Sequence, residues 1–330
     1  MITPPSPTLL WVLVTLIGAL VVGSVARFVG LRKADEGFRK KRLASLRTWW
    51  ILTIVVGVGL LAGRTGVCLL LTIASLMAFH EYAGLLGIRK IERPAMIAAY
   101  AIAVINYLLI ALGQISAFVV FVPLAAFGVV AVTQLVQGRA EGYIRTTGGI
   151  FWGMMTVFYG LAHSAYLFIH PAFGGGPAGP AGWFLYLVIL TEANDIFQAI
   201  VGRAMGAHKR RRISPVVSPN KTWEGFFGGL GVTLILAVLL APWLTSFDTV
   251  GGWPGLPGVL QQWIGPLGAG MVVAVAGFFG DINMSGVKRD CGVKDGSKVL
   301  PGMGGIIDRI DSLTFTAPAF LYLVGWWITQ

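Results

Sequence analysis

Long apolar runs alternate with short polar stretches along almost the whole chain. The runs lie at 9–29, 49–63, 65–81, 96–113, 115–136, 150–169, 183–206, 226–244, 266–283 and 312–329. As helices, most of them are long enough to cross a hydrocarbon core of about 30 Å. A Gly-Arg-Thr-Gly break at 63–66 predicts that the second and third runs are two short helices in a hairpin, one of them re-entrant if only nine segments span. The pattern therefore predicts an all-α, polytopic transmembrane helix bundle of nine or ten membrane segments.

Composition agrees with this class, and the basic residues give it an orientation. The chain is 56% hydrophobic and 12% charged, with a mean hydropathy of +0.78, which excludes an ordinary soluble globule. Lys and Arg gather in the connections 30–48, 82–95, 137–149 and 207–225, whereas 170–182 and 245–265 contain none. By the positive-inside rule the basic connections are cytoplasmic. We expect an integral protein of the bacterial inner membrane with both termini outside.

The net charge of +11 is then mainly a topology signal, and binding to nucleic acid is not predicted. No positively charged stretch precedes the first run, so we expect a retained helix instead of a cleaved signal. We divide the chain into N-terminal transmembrane segments with basic cytoplasmic loops (1–150) and a C-terminal catalytic transmembrane region (151–330) with its site at the cytoplasmic face.

Polar residues inside the seventh run are not explained by topology. Glu192, Asn194, Asp195 and Gln198 lie within seven residues of it. A carboxylate in mid-membrane is costly, which invites a functional explanation. Helical spacing puts Glu192, Asp195 and Gln198 on one face. We favour a polar cavity lined by that face, with a helix-to-helix hydrogen-bond seam as the alternative.

The ninth run ends in a stripe of polar residues. Asp281, Ser285 and Lys288 stand at i, i+4 and i+7, and Arg289 lies beside them. Mg²⁺ prefers carboxylate oxygens and shares its shell with phosphates and water, while Lys and Arg neutralise phosphate charge. This order predicts a metal and phosphate site. An ion pair between Asp281 and Lys288 is the purely structural alternative.

The next stretch mixes charges of both signs with glycines, in the order Lys294, Asp295, Gly304, Gly305, Asp308, Arg309 and Asp311. Glycine lets backbone N–H groups approach an anion closely. Acids at the start of the last helix also favour the positive end of the helix dipole. Capping accounts for one Asp, but not for two around an Arg beside a Gly-rich turn.

A third polar cluster precedes the eighth run. We predict that Ser218 and Pro219 are the N-cap and first residue of the next helix, with Lys221 and Thr222 where it enters the bilayer. The alternative is an ordinary interfacial helix start with Trp223 as its anchor.

The three clusters, 192–198, 213–225 and 281–311, meet at the predicted cytoplasmic face. They combine acids for a divalent metal, cations for phosphates and apolar surroundings for a lipid tail. This combination favours phosphoryl or nucleotidyl transfer onto a lipid phosphate, in which positioning and charge stabilisation do most of the catalytic work. An ion-coupled transporter, which also uses acids in mid-membrane, is the non-enzyme alternative.

Two stretches resemble a known family. GDINMSGVKRDCGVKDGSKVLPGMGGIIDRIDS is similar to the signature of the CDP-diacylglycerol synthases (phosphatidate cytidylyltransferases), and HKRRRISPVVSPNKTWEGFFGG resembles their Ser-Pro-x-Lys-Thr-Trp-Glu-Gly segment. The resemblance covers residues 190–315 or so. It implies a membrane enzyme that transfers CMP from CTP to phosphatidate, giving CDP-diacylglycerol and pyrophosphate with Mg²⁺ as cofactor, in phospholipid biosynthesis.

Carried over to this sequence, the resemblance implies roles for individual residues. Asp281 and Asp308 would be the main metal ligands, with Asp195 and Asp311 near the same site; a second metal or a monovalent cation is left open. The catalytic set would be Asp281, Lys288, Arg289, Asp308 and Arg309. Substrate would contact Ser218, Lys221, Thr222, Ser285, Lys294, Asp295, Gly304 and Gly305.

The sequence departs from the family pattern at three places, one of which is the acidic helix, where Asn194-Asp195-Ile196 stands in place of the usual bacterial Ala-Asp-Ser. Met303 stands where the Gly-rich turn has a His, and Met284 replaces the acid before Ser285. A thioether neither binds phosphate nor shuttles a proton. The departures suggest a divergent paralogue that acts on another lipid phosphate, such as an isoprenoid one, or a catalytically silent relative. A homodimer is also left open.

Overall fold

The computed structural model describes residues 5–32, 34–87, 92–138, 141–205, 211–249, 251–253, 255, 257–294, 296–297 and 299–329. Its helices are α1 (Pro7–Gly30), α2 (Glu36–Leu61), α3 (Gly63–Leu85), α4 (Arg93–Ala111), α5 (Ile115–Val136), α6 (Tyr143–Gly153), α7 (Leu161–Ile169), α8 (Pro180–Met205), α9 (Trp223–Leu244), α10 (Gly258–Asp290) and α11 (Ile307–Thr329). A π-helical turn, Met154–Gly160, joins α6 to α7, and a 3₁₀ turn spans Pro171–Phe173.

Eight helices in the described part of the chain are long and apolar enough to cross a membrane: α1 to α5, α8, α9 and α10. The described strands are a short antiparallel hairpin, β1 (Arg212–Ser214) and β2 (Ser218–Thr222). The prediction of an all-α, polytopic helix bundle is therefore confirmed. The protein is an integral membrane protein.

The predicted shortness of the two helices around 63–66 is wrong, although the helices do form a hairpin. α2 has 26 residues and α3 has 23, and the turn between them is made at Gly63, whose φ of 67° suits glycine. α2 begins well before its apolar run because Asp35 caps it, accepting hydrogen bonds from the N–H groups of Gly37 and Phe38. Much of the predicted basic loop 30–48 is consequently helical.

The predicted helix start at Ser218 and Pro219 is also wrong. Both residues belong to β2, in which Ser218 pairs with Ser214. The N-cap of α9 is Thr222, whose Oγ1 accepts a hydrogen bond from the N–H of Gly225 at 3.1 Å. The hairpin displaces the start of the helix by one strand and turns Lys221 towards the neighbouring helices.

The described residues form two buried cores, one where α3 to α5 meet α7 to α11 and one where α3 to α6 pack around the π-helical turn. Two glycines set the closest approaches: a Cβ on Gly182 of α8 would collide with the backbone of Leu244 in α9, and one on Gly160 would collide with Thr314 of α11. Small residues at such crossings let helix backbones approach closely inside a membrane, where van der Waals contact drives association. This close packing brings the polar parts of α8, α10 and α11 into one cluster.

Candidate active site

Lys221 ties three elements together at the centre of the site. Its Nζ lies 2.6 Å from Asp281 Oδ2 on α10 and donates a hydrogen bond of 2.9 Å to Gln198 Oε1 on α8. The side chains of Lys221 and Asp281 are only 17% and 27% exposed. Ser285 Oγ donates to Asp281 Oδ1 at 3.4 Å, as its position one turn further along α10 allows. The hairpin thus delivers a cation to the polar stripe of α10.

A second ion pair fastens α10 to the start of α11. Lys288 Nζ donates to Asp308 Oδ1 at 2.8 Å, and both side chains are 11% exposed. Asp308 Oδ2 accepts hydrogen bonds from the N–H groups of Gly305 (3.1 Å) and Gly296 (3.3 Å). Lys288 therefore does not pair with Asp281, and the structural alternative stated for that pair is wrong.

Three carboxylates from different helices share the site. Asp195, Asp281 and Asp311 lie close enough to one another for charge–charge interaction. The positive charge of Lys221 attracts Asp195, and that of Lys288 attracts Asp311, so the lysines counter the repulsion between the acids. Asp195 Oδ1 is buried and has no hydrogen-bond partner among the described residues.

These oxygens fit the preference of a hard divalent cation such as Mg²⁺. The described residues nevertheless hold no group of three or more His, Cys, Asp or Glu side chains arranged to bind one ion. Lys221 and Lys288 supply the positive charge in this arrangement, because each forms an ion pair with one of the carboxylates, Asp281 and Asp308. The donor chemistry thus fits a metal, and Oδ1 of Asp195 is a buried carboxylate oxygen that no described hydrogen bond occupies.

The predicted arginines occupy the edge of the site. Arg289 donates from Nε to the carbonyl of Val217 (3.3 Å) and from Nη1 to that of Val293 (3.0 Å), so it joins the hairpin turn to the end of α10. Arg309 is exposed and interacts electrostatically with Glu192 and Asp195.

The remaining predicted substrate contacts have mixed surroundings. Lys294 is exposed, and Asp295 lies outside the described residues. The N–H of Gly304 donates to the carbonyl of Leu300 at 3.1 Å, and that of Gly305 donates to Asp308. These two N–H groups hold the turn itself in this structure. The binding roles of these residues, and those of Ser218, Thr222 and Ser285, stay predictions.

The polar residues of α8 lie in two different surroundings, a hydrogen-bonded helix interface and the lysine and carboxylate cluster. Asn194 is fully buried, donates to the carbonyl of Ala274 on α10 and accepts from Thr233 Oγ1 on α9, both at 3.3 Å. It belongs to the seam that we gave as the alternative. Asp195 and Gln198 instead face the carboxylate and lysine cluster. Neither interpretation of the whole run is sufficient alone.

Sequence reasoning missed Glu81 of α3. Its Oε1 accepts hydrogen bonds from Ser297 Oγ (2.8 Å) and the N–H of Ile306 (3.1 Å), and its Oε2 accepts from the N–H of Ile307 (3.1 Å). The available signal was a single acid at the very end of the apolar run 65–81. Its partners lie at the other end of the chain, and no local pattern reveals them.

The two methionines that depart from the family pattern have different surroundings. Met284 is 2% exposed and packs in the apolar core that also contains Ile307. A Met suits that position because a buried acid would need a partner. Met303 lies within the Gly-rich turn, where its N–H donates to the carbonyl of Leu300 at 3.0 Å.

A cavity of about 930 Å³ opens on the other side of α10. Its lining from this helix includes Ile282, Asn283, Gly286 and Asp290. At 100° per residue these positions face away from the stripe that carries Asp281. The predicted site residues therefore do not line this cavity.

Comparison with known proteins identifies the family. The model of the cytidylyltransferase family matches residues 43–327. The uncharacterized protein YnbB of Escherichia coli (strain K12) is 35% identical over 312 residues, covering 94% of this chain and 97% of its own. A phosphatidate cytidylyltransferase of Staphylococcus aureus (strain COL) is 38% identical over 136 residues, which are 41% of this chain and 46% of the relative.

A phosphatidate cytidylyltransferase of Haemophilus influenzae (strain ATCC 51907 / DSM 11121 / KW20 / Rd) is 40% identical over 138 residues, or 42% of this chain and 44% of its own. The chain thus spans less than half the length of these two named enzymes, whereas the family model covers most of it. The chain belongs to the cytidylyltransferase family and is a nucleotidyltransferase enzyme.

Proposed function

We propose that the protein transfers CMP from CTP to phosphatidate, giving CDP-diacylglycerol and pyrophosphate, at the cytoplasmic face of the bacterial inner membrane. The observation that carries this proposal is the pair of half-buried lysine–aspartate contacts, Lys221–Asp281 and Lys288–Asp308, beside the carboxylates of Asp195 and Asp311. Cations and acids are thereby concentrated where membrane helices end. The names of the relatives from Staphylococcus aureus and Haemophilus influenzae support phosphatidate as the acceptor.

The lysines would neutralise phosphate charge in this reaction. A phosphate oxygen that enters the site competes with Asp281 for Lys221 and with Asp308 for Lys288, because an ammonium group binds either anion as a compact point charge. A phosphatidate oxygen then attacks the α-phosphorus of CTP, and the bond from that phosphorus to the β-phosphate oxygen breaks, so that pyrophosphate leaves. Phosphatidate is already ionised near neutral pH, so positioning and electrostatics are sufficient without a strong base.

We propose Mg²⁺ as the cofactor. Asp281, Asp308, Asp195 and Asp311 would hold it, and the unpartnered Oδ1 of Asp195 and the shared charge of the cluster support this assignment. When bound, the ion supplies positive charge against the triphosphate. Lys221 and Lys288 offset part of the negative charge of the cluster, which reduces the repulsion between its acids.

The relative that matches 94% of the chain is uncharacterized, so a second acceptor class is kept as the alternative. Under this alternative the protein is a cytidylyltransferase for another lipid phosphate, and Met303 in the Gly-rich turn marks the divergence. Membership of an enzyme family leaves ion-coupled transport without support.

The test is CDP-lipid formation by the purified protein in mixed micelles with labelled CTP and Mg²⁺. Phosphatidate and an isoprenoid phosphate are offered in separate reactions. Asp281→Asn is compared with Asp248→Asn, whose exposed carboxylate lies in the connection after α9, away from the cluster. We expect product with phosphatidate from wild type and Asp248→Asn, and almost none from Asp281→Asn.

Product with the isoprenoid phosphate alone would replace phosphatidate by the second acceptor class. No CDP-lipid from the wild type with either acceptor would reject the proposal. Full activity of Asp281→Asn would reject the role of the carboxylate cluster. Activity that survives removal of divalent ions by a chelator would reject Mg²⁺.

A further inference from the structure

One buried carboxylate from α3 fastens both the Gly-rich turn (residues 296–305) and the start of α11. Glu81 is 9% exposed, and its two oxygens accept three hydrogen bonds, from Ser297 Oγ and from the N–H groups of Ile306 and Ile307. Ile306 and Ile307 lie 225 and 226 positions after Glu81 in the chain. Glu81 is thus a long-range tether on the segment that carries Asp308.

The N-terminus of α11 has a specific need for such an anion. The first N–H groups of a helix have no partner within the helix, and the helix dipole places positive charge there. In most helices a neighbouring side chain or a bound anion satisfies them. Here Asp308 accepts from Gly305, while Glu81 accepts from Ile306 and Ile307. Three successive N–H groups, those of Gly305, Ile306 and Ile307, are therefore directed at protein carboxylates, and the N–H of Arg309 donates to the carbonyl of Ile306 at 2.9 Å.

The glycine at position 305 is explained by the same close approach of Glu81 to the turn. A Cβ on Gly305 would collide with Glu81 Oε2. The glycine is accordingly explained by the close approach of a carboxylate, without any contact to a substrate phosphate. A neighbouring glycine in the turn has a parallel explanation, since a Cβ on Gly302 would lie 2.7 Å from the carbonyl of Lys41 in α2. α2 and α3 both press closely on the turn.

The position of α11 decides where the catalytic pair lies. Asp308 is the second residue of this helix and holds Lys288 through Oδ1. A displacement of the first turn of α11 would move Asp308, and with it the ammonium group of Lys288. Misplacement by about 1 Å is sufficient to cost roughly a hundredfold in rate when a reaction depends on positioning.

We propose that Glu81 is a positioning residue of this active site: an internal anion that occupies the N-terminus of α11 and holds Asp308 and Lys288 in register without touching substrate. Its kinetic consequence rests on the proposed function. A second consequence is that the N–H groups of Ile306 and Ile307 are not available to substrate phosphates, which are left to the lysines.

The test compares Glu81→Gln and Glu81→Asp in the purified full chain. Gln keeps the size of the side chain but has one acceptor oxygen and turns an NH₂ group towards the N–H donors. Asp keeps the charge but is shorter. If Glu81 only fills space, Glu81→Gln should match the wild type in both measured properties, and Glu81→Asp should be impaired. A positioning anion predicts the opposite order.

Two readouts are measured on each variant. Hydrogen exchange of the peptide that spans 305–310 reports the N–H bonds directly, and peptides from α9 report the rest of the fold. We expect faster exchange at 305–310 in Glu81→Gln, unchanged exchange in α9, and a kcat for CDP-lipid formation reduced roughly a hundredfold with little change in KM. Glu36→Gln, in which the lost carboxylate is 79% exposed at the start of α2, is the matched control and keeps both properties.

Wild-type exchange and kcat in Glu81→Gln would overturn the proposal, and so would a better performance of Gln than of Asp. The exchange measurement does not require the lipid acceptor to be known. A wild type without CDP-lipid activity but with Glu81-dependent protection at 305–310 would therefore reject the proposed function alone. If Glu81→Gln does not fold, the comparison is made with Ser297→Ala, which removes one of the three hydrogen bonds and should raise exchange by a smaller amount in the same peptide.

Discussion

At the scale of single residues, the pair Lys288–Asp308 has a structural role and, under the proposed function, a chemical one, and mutation can separate the two. Lys288→Met keeps the length of the side chain but removes the cation that pairs with Asp308, whose carboxylate is largely buried. Breaking such a pair from one side costs about 3–5 kcal/mol when it is well buried. We expect a lower melting temperature in detergent and loss of CDP-lipid formation. Lys40→Met removes a lysine that is 77% exposed and pairs with Glu36, and it should change the melting temperature little.

The double variant Lys288→Met with Asp308→Asn separates the two roles. Removing both charges leaves no unpaired ion, so the melting temperature should recover most of the loss. Activity should not recover, because the cation for phosphate is still absent. A melting temperature for Lys288→Met equal to that of Lys40→Met, or an active double variant, would contradict this account.

Sequence spacing identified Asp281, Ser285 and Lys288 as one stripe, and the structure brings all three to the site. It could not identify which acid each lysine contacts. The partner of Asp281 comes from a hairpin and that of Lys288 from the next helix, so both pairings depend on tertiary packing. Glu81 was missed for the same physical reason.

At the scale of elements, the places of the membrane helices followed from the apolar runs, but their ends did not. α2 extends to Glu36 because Asp35 caps it, and α10 continues to Asp290, beyond the apolar run that ended at 283. The helix ends are set by polar residues that satisfy backbone groups in water or at the interface. A hydropathy pattern records only the lipid-facing part of each helix.

Two glycines of α9 provide a matched test of helix packing. A Cβ on Gly229 would collide with the side chain of Gln198 on α8, whereas a Cβ on Gly231 meets nothing within 4 Å. Gly229→Ala should lower the melting temperature, since overpacking costs about 1–3 kcal/mol. It should also weaken CTP turnover, because Gln198 contacts Lys221.

Gly231→Ala is the control on the same helix, and it should be neutral or stabilising by up to about 1 kcal/mol, since Ala is the better helix former. Equal melting temperatures for the two variants would show that α8 and α9 do not pack through Gly229. The sequence FFGGLG could not distinguish these glycines, because only the partner helix does so.

At the scale of the whole molecule, the division at residue 150 stays a prediction, but contacts to the site cross it. Thr48 Oγ1 of α2 donates to the carbonyl of Pro301 at 2.9 Å, and Glu81 of α3 holds the start of α11. The N-terminal helices therefore do more than carry the topology signal: they form one wall of the Gly-rich turn. A fragment that begins at 151 would lack this wall.

The orientation of the bundle can be tested with single cysteines. α9 has 22 residues, which rise about 33 Å and suffice to cross a hydrocarbon core of about 30 Å. Its ends at Trp223, beside Lys221, and at Leu244 consequently lie on opposite sides of the membrane. In a background with Cys68→Ala and Cys291→Ser, we introduce Asp248→Cys after α9 and Glu141→Cys in a basic connection, both at exposed positions.

An impermeant maleimide should label Asp248→Cys in intact cells and Glu141→Cys only after the membrane is opened, because the positive-inside rule predicts that the basic connections face the cytoplasm. The lysine and carboxylate cluster around Lys221 lies at the same end of α9 as Trp223, and the predicted topology puts that end on the side of Glu141. Labelling of Glu141→Cys in intact cells, with protection of Asp248→Cys, would invert the topology and put the active site outside. Such a site would have no access to cytoplasmic CTP, so this outcome would count against cytidylyl transfer as well as against the orientation.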